Sequence, residues 1–522
     1  MQVRSAGVLL HPTALPGGFG IGDLGPSARS FLDWLESAGQ SVWQVLPLGP
    51  TGHGDSPYGT TSAFAGNPLL ISPEDLVADG LLAPTAVESL DEKPGNGSIH
   101  RIDFGRVDFG AVRDQKERML RESWRHVRSN ASHQALAELE AFADDDRRRV
   151  WLEDWTLYAA LKCRFDQRSW TDWPAELRSR EAAALADTAR DLDAEIRFQS
   201  WVQYLFHRQW GRLRSEAAAR GIRLLGDVPI YVINDSADVW ARQDLFALDG
   251  EGRPSELSGV PPDAFSEDGQ LWGQPIYRWD RMRKDGYAWW LARMRVAFER
   301  ADIVRLDHFR GFAGYWSVPA SAETARAGRW LPGPGAALFE AFAAGLGEVE
   351  IVAEDLGVIS PDVIALRQRF DLAGMKVLQF GFGEIDSPHL PHRHNQHAVV
   401  YTGTHDNDTT RGWYDSLDSD SRHRLHEYLS CDGSDIAWDL IRTALESVAR
   451  MAIVPIQDVL DLGSEARFNT PGVAEGNWTW RLSRLPSGEE AGRLGRLTEL
   501  SGRLRPSKSD TAEAATSSDA ES

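Results

Sequence analysis

The stretch Asp302-Ile303-Val304-Arg305-Leu306-Asp307-His308-Phe309-Arg310 decides how the whole chain is read. Ile303, Val304 and Leu306 make a run too apolar and β-branched for an exposed loop, whereas Gly311 and Gly314 behind it favour one. The segment is a buried strand ending at a working surface, with Asp307 near its C-terminal end. Side chains alternate along a strand, so Arg305 shares a face with Asp307. That neighbour should keep the carboxylate ionised at neutral pH. Such a group can serve as nucleophile, general base or metal ligand; taken alone, the segment equally allows a salt bridge that closes a loop.

The chain around it can bury a large core: it has 522 residues, 42% of them hydrophobic, and α/β barrels with insertions reach this size as one unit. No secretory apolar core occurs in Met1 to Leu10, and no apolar run approaches the roughly 18 residues of a membrane span. A soluble, cytoplasmic protein is expected. Cys163 and Cys431 are isolated, so they form neither a disulfide framework nor a metal motif and read as plain buried thiols. A net charge of −21 argues against sequence-independent nucleic-acid binding, which depends on neutralising phosphates. A neutral partner suits it better, and 20 tryptophans suit stacking on the apolar faces of a ligand. Only six of the 56 basic residues are lysine, which fits either adaptation to high salt or an arginine-biased genome.

Other strands recur at intervals. Gly7 to Leu10 is the first, Val42 to Leu48 the second and Arg223 to Ile230 the third; the opening stretch is the fourth. Glu350 to Gly357, Met375 to Phe380, Ala398 to Gly403 and Met451 to Ile456 complete eight. Helical patterns separate several of them: Ser27 can cap a helix with Phe31, Leu32 and Leu35 on its apolar face, and 73–220 is largely helical. Eight apolar strands with helical spacers make an α/β protein, a (β/α)₈ TIM barrel with helical insertions. Two motif matches fail. Gly20 to Gly25 fits the dinucleotide fingerprint but begins ten residues beyond its strand, and Tyr58 stands where the nucleophile elbow around Ser56 requires glycine. The histidines between His389 and His397 lie in a Pro-containing loop without helical spacing, so no metal site is expected.

In a barrel all strand C-termini open on one face, which gathers Asp227, Asp307, Glu354 and Asp406. Repulsion among four carboxylates raises at least one pKa, the condition for a protonated general acid beside an ionised neighbour. On this reading Glu354 is the acid and Asp307, beside Arg305, the ionised nucleophile.

Several motifs resemble the 4-α-glucanotransferases of the amylomaltase family, glycoside hydrolase family 77: Gly54-Asp55-Ser56-Pro57-Tyr58, Gly226 to Val232, the strand of Arg305 and Asp307, Ala353-Glu354-Asp355-Leu356-Gly357 and Gly403-Thr404-His405-Asp406-Asn407. The likeness runs from Gly7 to about Arg481, through a stretch similar to the family's substrate-covering loop at about 258–279 and a closing motif around Asn469 to Gly472 and Gly476 to Arg481. It implies a catalytic unit over 1–505, with a helical insertion at about 73–220, and an acidic tail over 506–522 whose composition predicts disorder. By resemblance Asp307 is the nucleophile, Glu354 the general acid/base and Asp406 the transition-state stabiliser. Asp227, Arg305 and His405 fall on positions that hold the sugar, Tyr58 on a stacking position, and Asp263, Gln270 and Trp272 in the covering loop; Ser56 and Asn477 lie within further binding motifs. His53 departs from relatives with an aromatic residue there.

The implied chemistry is retaining double displacement on maltooligosaccharides or other α-1,4-glucans as donor and acceptor, with no cofactor and no metal, nucleic-acid or membrane partner. It requires the two carboxyl groups about 5 Å apart. A hydrolase of the α-amylase type would use the same three carboxylates, but the covering loop and closing motif favour transfer. A non-catalytic glycan-binding protein would explain the tryptophans but not three carboxylates at three strand ends.

Overall fold

A computed structural model describes residues 4–91, 105–129, 132, 134–262, 266–473 and 475–505. Eight short parallel strands form its centre: β1 (Ser5–Leu9), β2 (Val42–Gln44), β3 (Arg223–Val228), β4 (Ile303–Leu306), β5 (Glu350–Ala353), β6 (Gly374–Val377), β7 (Ala398–Tyr401) and β8 (Met451–Pro455). Pairing runs β6-β7-β8-β1-β2-β3-β4-β5, and a parallel bridge between Val352 and Ala373 joins β5 to β6 and closes the ring. This is the TIM barrel expected from the sequence. The strands are shorter than their apolar runs because the later residues of several leave the ladder to build the mouth: Leu378–Phe380, for example, is a 3₁₀ turn.

Register fixes what faces inward. Asp227 on β3 is opposite Arg305 on β4, and Arg305 is opposite Val352 on β5. Directly paired residues project to the same face, so one register partner brings a carboxylate beside the arginine two residues before Asp307.

Between β2 and β3 the described chain is helical from Pro73–Ala78 to the long helix Asp193–Ala219. Two buried glutamines of that long helix tie it to the loops beneath. Gln203 binds both backbone groups of Gly66, and Gln209 both of Ser72, at 2.7–3.1 Å. Each carboxamide thereby satisfies buried amide groups that no ladder reaches.

The stretch expected to cover a substrate is a β-hairpin, Glu256–Val260 and Gln270–Pro275, in a four-stranded antiparallel sheet with Gly314–Pro319 and Arg329–Pro332. Two sequence readings are corrected. Helix Pro26–Ser37 starts two residues earlier than a Ser27 cap would allow, with Gly25 at the cap and Pro26 in the first turn, where a missing N–H costs nothing. Cys163 is exposed and Cys431 partly so, because both occupy solvent-facing positions.

The N-terminal end of the barrel is closed by the last described segment. Arg503, fully buried, donates to the carbonyls of Leu445 (2.7 Å), Ser447 (2.9 Å), Ala449 (2.8 Å), Ser5 (2.9 Å) and Arg450 (3.2 Å). Those carbonyls precede or open β8 and β1, so one side chain clamps the chain entry of two adjacent strands.

Candidate active site

At the opposite end, a cleft of about 320 Å³ is lined by Ser56, Tyr58, Gln270, Trp272, Arg305, Asp307, Glu354, His405 and Asp406. Arg305 is its hub. Its Nε donates to Asp227 Oδ2 at 3.0 Å, and its Nη2 to Asp307 Oδ1 at 2.8 Å and to the Tyr58 hydroxyl at 3.1 Å. Tyr58 in turn donates to Asp227 Oδ2 at 2.6 Å. Burial and the charge of Asp227 hold the Tyr58 phenol well above its usual range, so it keeps the proton it donates. Burial alone would lower the Arg305 guanidinium, but Asp227, Tyr58 and Asp307 hold it well above its ordinary value.

Asp307 differs from the sequence expectation in one respect. Burial raises its pKa by more than Arg305 lowers it, and the charges of Asp227 and Asp406 push the same way. The arginine limits the rise without reversing it. Glu354 is raised by burial first and by Asp307 second. Its Oε2 accepts His308 N at 2.7 Å and its Oε1 accepts Leu356 N at 3.1 Å, so both oxygens are aimed by backbone. His308 can present its N–H this way because its backbone is left-handed, φ 49°. For a histidine that conformation is uncommon, and strain of this kind is kept where surrounding contacts over-determine it.

Asp406 is fixed from another side. Its Oδ1 accepts Asn469 Nδ2 at 2.6 Å and lies 3.3 Å from His405 Nε2, and Arg467 binds its carbonyl at 2.7 Å. His405 is buried, which lowers its pKa and leaves the imidazole neutral. Its ring stacks on Tyr58 with centroids 5.0 Å apart. On the hairpin side, Trp272 meets the His308 ring edge-on at 4.7 Å, with its indole N–H on Gln270 Oε1 at 3.0 Å.

The carboxyl group of Asp227 is buried behind the cleft instead of lining it, and Asp263 lies outside the described residues. Asn477 faces away: its carboxamide binds Thr470 N (2.9 Å) and Val473 O (2.8 Å), holding the loop that presents Asn469. Trp478, Asn469 and His308 also line the cleft, although sequence reasoning gave them no role. His308 follows Asp307, Asn469 opens the segment Asn469 to Gly472 and Trp478 lies within Gly476 to Arg481, but the residue types alone carry no chemical signal that singles them out. Among the described residues no cluster of His, Cys, Asp or Glu could hold a metal ion. The loop histidines are spent on local bonds, His394 on Ser447 Oγ (2.7 Å) and His389 on Val377 N (3.1 Å).

A barrel with an arginine-tethered aspartate, a raised glutamic acid and a third carboxylate at one mouth has the constitution of an enzyme that makes and breaks glycosidic bonds. Comparison with known proteins narrows the class. The model of the family described as 4-alpha-glucanotransferase matches residues 10–486. The chain is 48% identical over 514 residues to the 4-alpha-glucanotransferase of Thermus thermophilus, covering 96% of this chain and 99% of that one. It is 46% identical over 511 residues to the chloroplastic/amyloplastic 4-alpha-glucanotransferase of Solanum tuberosum, covering 96% and 87%. Among solved structures, an amylomaltase from Streptococcus agalactiae in complex with acarbose superposes with a TM-score of 0.91 at 33% identity, over 96% of this chain and 100% of that one. The chain belongs to the 4-alpha-glucanotransferase family, whose members transfer α-1,4-glucan segments from one chain to another.

Proposed function

We propose that the transfer runs by retaining double displacement, with Asp307 as nucleophile, Glu354 as general acid/base and Asp406 as the group that stabilises the transition state. The observation that carries this reading is the unequal treatment of two neighbouring carboxyl groups. Asp307 is bonded to a guanidinium, whereas Glu354 has only neutral N–H donors and feels the charge of Asp307. The first proton of the pair therefore leaves Asp307, and Glu354 holds the second.

In the first half, an Asp307 oxygen bonds to the anomeric carbon as the bond to the departing 4-oxygen breaks, and that oxygen takes the Glu354 proton. In the second, the 4-hydroxyl of an incoming glucan returns a proton to Glu354 and displaces Asp307, remaking an α-1,4 bond. Charge that develops on the sugar ring faces Asp406, which Asn469 and His405 hold in place. Asp227 and Arg305 act by orienting Asp307 and Tyr58, and His405 by orienting Asp406. The Trp272 and Tyr58 rings offer faces against which an acceptor sugar excludes water. Ser56 and Gln270 contribute polar groups to the same walls, and Asn477 acts through the loop it braces.

Maltooligosaccharides and longer α-1,4-glucans serve as donor and acceptor. Residues 1–505 act as one catalytic unit, with the hairpin at about 258–279 as its cover. Cytoplasmic action accords with thiols at Cys163 and Cys431 that have no disulfide partner. Maltotriose alone tests the reaction. Transfer yields free glucose together with a ladder of longer oligosaccharides; shorter sugars only would mean hydrolysis and overturn the proposal.

A further inference from the structure

The loop that carries His405 and Asp406 leaves the barrel at Thr402, the residue after β7, and ends at Thr410, which opens helix Thr410–Ser416. Both ends converge on a side chain that the mechanism leaves unused, Asp458, in the short helix Ile456–Val459 that follows β8. Its Oδ2 accepts the Thr402 hydroxyl at 2.5 Å and the Thr410 hydroxyl at 2.8 Å, and its Oδ1 accepts Thr410 N at 2.8 Å. Asp458 is 1% exposed and both threonines are fully buried.

An ionised carboxylate offers two oxygens that only accept, so it can take several N–H and O–H groups at once and fixes the direction of each. Burial raises the Asp458 pKa, and the bonds from Thr402 and Thr410 work against that rise. Those three donors are therefore what makes a carboxylate tolerable at this depth. One residue joins two points of the chain eight positions apart, with the catalytic loop between them.

The loop is built to pass on the position of its ends. Inside it, Asn407 Oδ1 accepts Thr404 N at 2.9 Å and the Thr404 hydroxyl at 2.8 Å, which makes 404–407 a closed turn around Asp406. Gln457, beside Asp458, supports the same carboxylate from its other side. Its Nε2 donates to Ala466 O at 3.3 Å, and the adjacent Arg467 donates to Asp406 O at 2.7 Å and to Asn469 O at 2.8 Å. Asn469 then supplies the 2.6 Å bond to Asp406 Oδ1.

We propose that Asp458 is a positioning residue for the transfer reaction: by stapling Thr402 to Thr410 it sets where Asp406 stands against the reacting sugar. Asp458 does not line the cleft, so it acts without touching substrate. This deepens the reading of Asp406 as transition-state stabiliser and rests on it. A group that matters when charge develops on the sugar should, once displaced, reduce kcat and leave KM nearly alone.

The test measures kcat and KM for maltotriose on Asp458→Ala, Asp458→Asn and Thr402→Val, each at a temperature where calorimetry shows it folded. Asp458→Ala frees both loop ends and should lower kcat about 10²-fold, as a displacement of about 1 Å does, with KM within about twofold of wild type. Asp458→Asn should recover most of that loss, because its oxygen still accepts Thr410 N and its NH₂ can meet threonine hydroxyls that rotate to accept. Wild-type kcat in folded Asp458→Ala, or an asparagine variant as impaired as the alanine one, overturns the proposal. Where Asp458→Ala does not fold, Thr402→Val decides: it keeps the shape, deletes one bond of the staple and should lower kcat about five- to tenfold. Wild-type kcat in that variant overturns the proposal as well. Asp406→Asn reports on the reading beneath it. Undiminished kcat there would remove Asp406 from the mechanism, whereas a large loss there beside an unimpaired Asp458→Ala would refute the staple alone.

Discussion

The two ends of the barrel each centre on a buried arginine, and the two are satisfied in opposite ways. Arg305 at the mouth is held by two carboxylates and a phenol, whereas Arg503 at the base is held by carbonyls alone. The charges around Arg305 lift its pKa; burial, with Arg4 beside it, lowers that of Arg503 to about 9. A guanidinium among dipoles fastens backbone and does nothing else. A guanidinium among ionisable groups sets which of them carries a proton, and that is a chemical function.

If that contrast is right, substitutions at the two ends should separate activity from stability. The largest effect belongs to Asp307→Asn, which keeps the shape and removes the nucleophile. It should lower kcat for maltotriose by about 10⁴-fold or more while leaving Tm unchanged or higher, because a buried carboxylate has been replaced by an amide. At the base, Arg503→Met removes all five of its bonds, although Arg4 still donates to Leu445 O and Ser447 O and Ser5 N to Arg450 O, and should cost about 3–5 kcal/mol of stability, with kcat per folded molecule unaltered. Calorimetry and progress curves on both variants break the comparison if Arg503→Met lowers kcat at a temperature where it is fully folded.

A smaller effect sharpens the claim that the mouth is strained electrostatically. Burial and the Asp307 charge raise Glu354, so the folded state binds its proton more tightly than the unfolded chain, where glutamate titrates near 4.3. A carboxyl group raised in this way destabilises the fold as pH climbs above its unfolded value, and the penalty grows until pH passes the folded value. Glu354→Gln removes that penalty. Its Tm advantage over wild type should be near zero at about pH 4 and increase through neutral pH. A constant difference across the range would show that the carboxyl pair is not under this tension.

How much of the two ends could be read from sequence also differs. The mouth was legible because four of the eight apolar strands lead to an acidic residue, Asp227, Asp307, Glu354 or Asp406, and strand alternation alone put Arg305 beside Asp307. Its strength of coupling was not, since it depends on Asp227 being in register and on Tyr58 reaching in from a loop 247 positions away. Burial is a three-dimensional quantity, and for that reason the charge of Arg305 was expected to dominate Asp307 when desolvation does. Nothing marked Arg503: it lies in a polar segment outside any motif, and its partners are carbonyls, which every residue has. The outward turn of Asn477 was equally hidden, because its motif records that an asparagine is needed there and not which way it faces.

Tyr58 gives the finest test of the contrast, because its ring and its hydroxyl do separate things. The ring stacks on His405 and faces the cleft, while the hydroxyl bridges Asp227 and Arg305. Tyr58→Phe keeps the first and deletes the second. Asp227 then retains the Arg305 Nε bond but loses its 2.6 Å donor, and Arg305 loses an acceptor, so the guanidinium is less firmly aimed at Asp307. Loss of one such buried bond is worth about 1.5 kcal/mol, or roughly tenfold. The loss should fall on kcat for maltotriose with KM little changed, and the acidic limb of the pH profile should move upward as Asp307 is stabilised less well. A rise in KM at constant kcat would instead make Tyr58 a platform for sugar alone, and the hub at the mouth would then work no differently from the clamp at the base.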